Sequence, residues 1–285
     1  MRVAIASGKG GTGKTTLAVC LAHALGERGE RVTYVDCDVE EPNGHIFLKP
    51  AFDESAAVDL LVPSDRGEGC TACGRCTEFC EFNAIVNVRD KVLVFPDLCH
   101  GCGGCVLLCP ERVLREVPHG VGVIERGHVD GIDVVRGTLT VGRPLAVPVI
   151  RAARAAASGD GITVIDAPPG TACPAVEAVR GADRVILVTE PTPFGLHDLD
   201  LAARTVSELG LEASVVVNRS DVGNAAVRDY AMRRGIPVVA EIPDDRAIAE
   251  AYARGDLPCG ASDGLRDAVA RLAAWVANGG GGGRA

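Results

Sequence analysis

Two residue patterns in this chain are spaced to do chemistry. The first is a pair of cysteine runs of one form, C-x2-C-x2-C-x3-C: Cys70, Cys73, Cys76 and Cys80, then Cys99, Cys102, Cys105 and Cys109, offset by 29 residues. The second is the glycine-rich stretch SGKGGTGKTT at 7–16. Thiols at such spacing bind metal. Glycines around a lysine leave backbone amides and one cation free to hold phosphate.

Eight of the twelve cysteines lie in the two runs; Cys20, Cys37, Cys173 and Cys259 are scattered. The start, MRVAIASGKGG, lacks the apolar core and cleavage site of a signal peptide, so a cytosolic chain with reduced thiols is expected. Uneven crowding of thiols then points to metal rather than to disulfides. Structural zinc is one reading, but zinc sites usually pair two C-x2-C units across roughly a dozen residues or more. Three cysteines at spacing three and a fourth at spacing four is the bacterial ferredoxin run for two 4Fe–4S clusters. In it the fourth cysteine of each run ligates the other cluster. Cys70, Cys73, Cys76 and Cys109 are therefore expected to hold one cluster, and Cys99, Cys102, Cys105 and Cys80 the other. The second run ends Cys109-Pro110 and the first Cys80-Glu81. Ligation does not need the missing proline, and its absence leaves one cluster rim more polar.

In the glycine-rich stretch, Gly8, Gly13, Lys14 and Thr15 fit G-x-x-x-x-G-K-[ST]. Backbone amides of Gly8, Lys9, Gly10, Gly11, Thr12, Gly13, Lys14, Thr15 and Thr16 are candidates to wrap the phosphates, and the helix start adds partial positive charge. Lys14 is expected to reach the β- and γ-phosphates, and the Thr15 hydroxyl to bind magnesium. Phosphoryl transfer is mostly positioning and charge neutralisation, so it needs a metal carboxylate and a water-holder more than a strong base. Asp36 and Asp38 in VDCDVEEPN and Asp166 in IDAPPG end strand-like runs and are candidates. For Asp36, capping of the next element is the equal alternative.

These residues need a scaffold, and the rest of the chain supplies one. Its 285 residues, 47% hydrophobic, suit one good-sized core with a small satellite. A net charge of −9 argues against nucleic-acid binding, and no apolar run approaches the ~18 residues of a membrane span. RVAIA (2–6), RVTYVD (31–36), ITVID (162–166), RVILVT (184–189), ASVVVN (213–218) and PVVAEI (237–242) read as buried strands. Helical stretches fall at 14–28, 196–209, 223–234, 245–254 and 263–277. Alternation of this kind predicts an α/β fold, a doubly wound and mostly parallel sheet. Leu265, Val269, Leu272 and Val276 form one stripe of the last helix; its polar face is not strongly basic, so core packing is expected. The repeat breaks the rhythm and reads as an inserted α+β domain at 64–117. It divides a nucleotide-binding domain into 1–63 and 118–278, with short antiparallel strands over 120–142 and a flexible tail at 279–285.

The K-G-G-x-x-K-[ST] form of the loop resembles the deviant Walker-A P-loop family that includes MinD, Mrp and the nitrogenase iron protein. DCDVEEPN, CHGCGGCVLLCP, DAPPGTACP and TEPTPFGLHDL resemble the MinD-superfamily ATPases that carry an inserted two-cluster ferredoxin domain. The resemblance implies a homodimer in which Lys9 reaches the partner's nucleotide. It also implies that Asp38 orients the attacking water, Asp166 holds the magnesium shell and Gly170 offers its amide to the γ-phosphate. Asn218, Arg219, Pro243 and Asp244 resemble the family's adenine-side contacts. Cys173 follows Asp166 at the interval of a cluster-ligating cysteine in the nitrogenase iron protein, so it reads either as a buried structural thiol or as an interface thiol with a metal or redox role. The expected cofactors are ATP or ADP, Mg2+ and two 4Fe–4S clusters. The expected activity is ATP hydrolysis coupled to electron transfer with a protein donor or acceptor. A cluster-carrier ATPase acting on client proteins, or a redox-sensing organising ATPase, are the alternatives.

Overall fold

The apolar runs read as buried strands are strands, because a strand covered on both faces has no need of polar alternation. The computed structural model describes residues 1–65, 69–89, 91–157 and 159–279. In chain order the elements are β1 (Arg2–Ala6), α1 (Lys14–Glu27), β2 (Val32–Asp36), α2 (Gly44–Leu48), β3 (Ala51–Asp65) and α3 (Arg75–Phe79). Then come β4 (Ile85–Val88), β5 (Lys91–Val94), α4 (Gly104–Leu107), β6 (Leu114–Val129), β7 (Ile132–Leu139) and α5 (Val147–Ala156). The last part holds β8 (Ile162–Asp166), α6 (Cys173–Val179), β9 (Arg184–Thr189), α7 (Pro193–Glu208) and β10 (Ala213–Asn218). It ends with α8 (Ala226–Arg234), β11 (Val238–Ile242), α9 (Arg246–Arg254) and α10 (Asp263–Ala277).

The main sheet has the order β11-β10-β9-β1-β8-β2-β7-β6-β3. Pairings from β11 through to β7 are parallel, so the mostly parallel expectation holds. Val3, Ile5, Val164, Ile186 and Val216 are buried in one cluster with Leu17, Leu21 and Leu25 of α1. Leu265, Val269, Leu272 and Val276 of α10 join it, so the apolar stripe of the last helix is core. Register brings strand ends together: Asp36 of β2 lies opposite Asp166 of β8, and Ile5 of β1 is that residue's partner on the other side. Active groups at the carboxyl ends of neighbouring parallel strands are the usual arrangement of open α/β sheets.

The chain divides into two compact units. One comprises Met1–Ser55, Ile124–Thr138 and Ile150–Ala285; the other Ala56–Val123 and Leu139–Val149. The second contains the antiparallel pair β4–β5 and the two short helices α3 and α4. The short strands expected over 120–142 are instead parts of long ones, the 16-residue β6 and the 8-residue β7, joined by the two-residue turn Asp130-Gly131. An Asp-Gly pair is a turn that continues strand twist rather than ending it, which favours long arms. β3, α2, α5 and α6 lack a counterpart in the sequence reading. The expected tail falls, from residue 280 onward, outside the described residues.

Candidate functional site

The phosphate loop connects β1 to α1. Gly13 caps the helix with φ 92°, a left-handed conformation that L side chains rarely adopt, and a Cβ there would lie 2.6 Å from Asn218 Nδ2. Asn218 is therefore packed against the loop. Its Nδ2 donates to the Thr12 carbonyl at 2.9 Å, and its Oδ1 accepts from the Arg219 backbone N–H at 3.0 Å. A Cβ at Gly10, Gly11 or Gly170 would meet nothing within 4 Å, so the loop borders open space.

That space is a cavity of about 450 Å³, within the range usual for small-molecule sites. Gly10, Gly11, Gly13, Lys14, Thr15 and Thr16 line it from the loop side. Asp38, Asn218, Arg219, Pro243 and Asp244 line it from the strand ends. Gly8, Lys9, Thr12, Asp166 and Gly170 are not among its described lining residues. The Gly170 amide donates to the Ser7 carbonyl at 3.0 Å. Lys9 Nζ lies 3.6 Å from Glu190, a buried carboxylate that also pairs with Arg219 at 3.0 Å. Arg219 in turn reaches Asp244 at 3.4 Å. Glu190 lies in TEPTPFGLHDL, but the motif assigns it no role, because its partners come from separate strand ends. Tyr252 also lines the cavity without a motif to announce it, and Glu41, inside DCDVEEPN, lines it with no role assigned to it by that motif.

The charges converge. Lys14 is 6% exposed; burial lowers its pKa, while the carboxylates of Asp166 and Asp38 oppose that. Asp38 is pushed up to about 6 by burial, against the pull of Lys14. Asp36 and Asp166, both 1% exposed and facing each other across β2 and β8, are pushed up first by burial. Asp36 is further raised by its neighbour's charge, and Asp166 reaches about 6. Asp36 spends its oxygens on backbone: Oδ1 accepts from Asp38 N–H at 3.2 Å and Oδ2 from Gly44 N–H at 3.0 Å. Of its two sequence readings, the capping role is the one the geometry displays. Asp166 is different. Its Oδ2 accepts from the Tyr34 hydroxyl at 3.1 Å, and its Oδ1 is buried with no hydrogen-bond partner, as is Thr12 Oγ1.

In the second unit the cysteines border two small cavities. Cys70, Cys73, Cys76 and Cys109 line one; Cys80, Cys99, Cys102 and Cys105 line the other. The fourth cysteine of each run thus stands with the first three of the other. Among the described residues no three His, Cys, Asp or Glu side chains gather closely enough to hold a single metal ion. All twelve cysteines are free thiols. Cys173, at the start of α6, is exposed, which removes its reading as a buried structural thiol. Among the described residues no helix is long and apolar enough to cross a membrane.

The fold is similar to that of the septum site-determining protein MinD of Pyrococcus horikoshii in its complex with Mg-ADP. The TM-score is 0.61 at 20% identity, over 98% of this chain and 97% of that one. An uncharacterised protein of Methanocaldococcus jannaschii is 29% identical over 97% of both chains. A stretch of 61 residues, 21% of this chain and 18% of the relative, is 39% identical to one component of the Na+-translocating ferredoxin:NAD+ oxidoreductase complex of Acetobacterium woodii. Residues 3–259 match the CobQ/CobB/MinD/ParA nucleotide binding domain. With a phosphate loop at the head of a parallel sheet and that match over most of its length, the chain belongs to the CobQ/CobB/MinD/ParA family of P-loop NTPases.

Proposed function

We propose that this protein is a magnesium-dependent, homodimeric ATPase that couples nucleotide state to electron transfer through two 4Fe–4S clusters. The observation that carries the reading is a division of labour along one chain. One unit has a phosphate loop with Lys14, Asp38 and Asp166 around it, and the other has eight thiols split four and four around two cavities. Four thiols spaced around a cavity, without three converging on a point, suit a polynuclear centre better than tetrahedral zinc. The insert at 64–117 would be the ferredoxin-like domain. Cys70, Cys73, Cys76 and Cys109 would hold one cluster and Cys99, Cys102, Cys105 and Cys80 the other; such clusters supply one-electron chemistry. The short likeness to a component of a ferredoxin:NAD+ oxidoreductase supports a redox role, with a protein electron donor or acceptor as partner.

On the ATPase side, the orphaned Asp166 Oδ1 and Thr12 Oγ1 suit a cation and a phosphate respectively. The Thr15 hydroxyl and Asp166 would hold Mg2+, which needs only one or two carboxylates beside phosphates and waters and neutralises phosphate charge when bound. Lys14 supplies a second positive charge from the loop, and Asp38 accepts a hydrogen bond from the attacking water. Above about pH 6 Asp38 is mostly ionised and able to do so. Asn218, Arg219, Pro243 and Asp244 would form the adenine side. Lys9 would leave Glu190 to reach the nucleotide held by the other protomer, and the Gly170 amide would exchange Ser7 for the γ-phosphate.

The experiment is anaerobic purification followed by iron, sulfide and zinc analysis, alongside ATP turnover with the clusters oxidised and reduced. Two four-iron clusters require about eight iron and eight sulfide per chain. Stoichiometric zinc without sulfide would overturn the redox half of the proposal, and absence of magnesium-dependent turnover the ATPase half.

A further inference from the structure

Tyr34 lies in the middle of β2, is fully buried, and is the largest of the fully buried side chains. A phenol placed there is unexpected on packing grounds alone, since a buried hydroxyl without a partner costs about 1–3 kcal/mol. Its partner is Asp166, which lies opposite Asp36 on the neighbouring strand β8, two residues further along β2. The chain also makes room for the hydroxyl. At Gly44, the first residue of α2, a Cβ would stand 2.1 Å from the Tyr34 oxygen, so no larger residue fits there without moving the ring. The Gly44 N–H is meanwhile bonded to Asp36, which fixes where that close approach occurs.

The consequence falls on Asp166. A carboxylate with both oxygens free rotates about its terminal torsion. Here Oδ2 is tied to Tyr34, and Oδ1 is buried and without a hydrogen-bond partner. Asp36, the other carboxylate of the pair, is tied down at both oxygens by backbone N–H groups. We propose that Tyr34 is a positioning residue for the magnesium site: its hydroxyl holds Asp166 Oδ2 so that Oδ1 alone is presented to the cation. The proposal rests on the magnesium–nucleotide reading given above.

Partners that orient metal ligands in this way typically account for 10- to 100-fold in metal affinity. The test is Mn2+ binding to the full chain with ADP, read from the loss of the free Mn2+ EPR signal, in the wild type and in Tyr34→Phe. The phenylalanine keeps the ring and removes only the hydroxyl. The expected result is 10- to 100-fold weaker Mn2+ binding, with ADP affinity in the absence of divalent cation unchanged within about twofold. A purely structural role would weaken both. Equal Mn2+ affinity in the two proteins overturns the proposal while leaving the magnesium reading intact. A wild type that binds no Mn2+ with ADP overturns both. If Tyr34→Phe does not fold, the wild type labelled at tyrosine 13Cζ serves, since the chain has only three tyrosines. The Tyr34 resonance should move on adding Mg2+ to the ADP complex, and a resonance unmoved by Mg2+ overturns the proposal.

Discussion

Replacing Asp166 by asparagine keeps the side-chain shape and an oxygen for the Tyr34 hydroxyl, and removes one of two buried carboxylates that face each other across β2 and β8. Asp166 is 1% exposed, so solvent screening does not dilute the effect. Burial lifts its pKa from 3.8 to about 6. A carboxylate raised in this way stabilises the fold only while protonated. Its contribution is intact below the unfolded value of 3.8 and is lost as pH rises through about 6. A displacement of about two pH units corresponds to about 3 kcal/mol. About half of that is lost by pH 5 and the rest between pH 5 and pH 8. Without nucleotide, Asp166→Asn should therefore be more stable than the wild type, and by roughly twice as much at pH 8 as at pH 5. Urea unfolding under anaerobic conditions measures this through Trp275, the chain's one tryptophan, which packs on the α1–α10 core. Magnesium and ADP should reverse the order, because ligand at about 1,000 times its Kd adds about 4.1 kcal/mol to a protein that binds it. A stability difference that does not change between pH 5 and pH 8, or a variant weaker than the wild type at pH 8 without nucleotide, would refute the assigned environment of Asp166.

Lys14→Ala should abolish detectable ATP binding in calorimetry, since the loop then has no buried cation for the phosphates; retained affinity would remove Lys14 from the site. Asp38→Ala should bind an ATP analogue within severalfold of the wild type yet lose turnover, and a phosphate-release assay showing normal hydrolysis would end its role. Glu190→Gln should cost little stability, because Lys9 is 34% and Arg219 51% exposed and such pairs contribute at most about 1 kcal/mol. By releasing Lys9 it should strengthen ATP-analogue-driven dimerisation by up to about fivefold in sedimentation velocity, and a weaker dimer would contradict the cis pairing as a restraint.

The parallel core is legible in the sequence because ITVID, RVILVT and ASVVVN are apolar at most positions, as burial on both faces requires. α10 is legible too, from the spacing of four residues that are all buried. β3 is not. AFDESAAVDLLVPSD mixes acidic and apolar residues, most of its side chains are exposed, and it closes the sheet at one end, where no second face imposes a pattern. α5 hides behind Pro148 in its first turn, and α2 and α6 are too short for periodicity to show. Motif spacing is enough to locate Lys14, Thr15 and the two cysteine runs, since loop and turn chemistry are local. The Tyr34–Asp166 and Lys9–Glu190 contacts are not local. They depend on which strands end side by side, and in the first case join residues 132 positions apart. Cys173 shows the converse limit, for nothing about a lone cysteine in the sequence distinguishes an exposed thiol from a buried one.

In the proposed function, nucleotide and clusters act on each other through one chain. Coupling between two binding equilibria is reciprocal: if ATP changes how readily the clusters are reduced, reduction must change ATP affinity by the same factor. Typical couplings of ~1–3 kcal/mol correspond to roughly 5- to 150-fold. The decisive measurement is the affinity of a non-hydrolysable ATP analogue for the anaerobically prepared protein, once with the clusters oxidised and once reduced. Coupling requires a difference of at least about fivefold between the two states; identical affinities would rule it out.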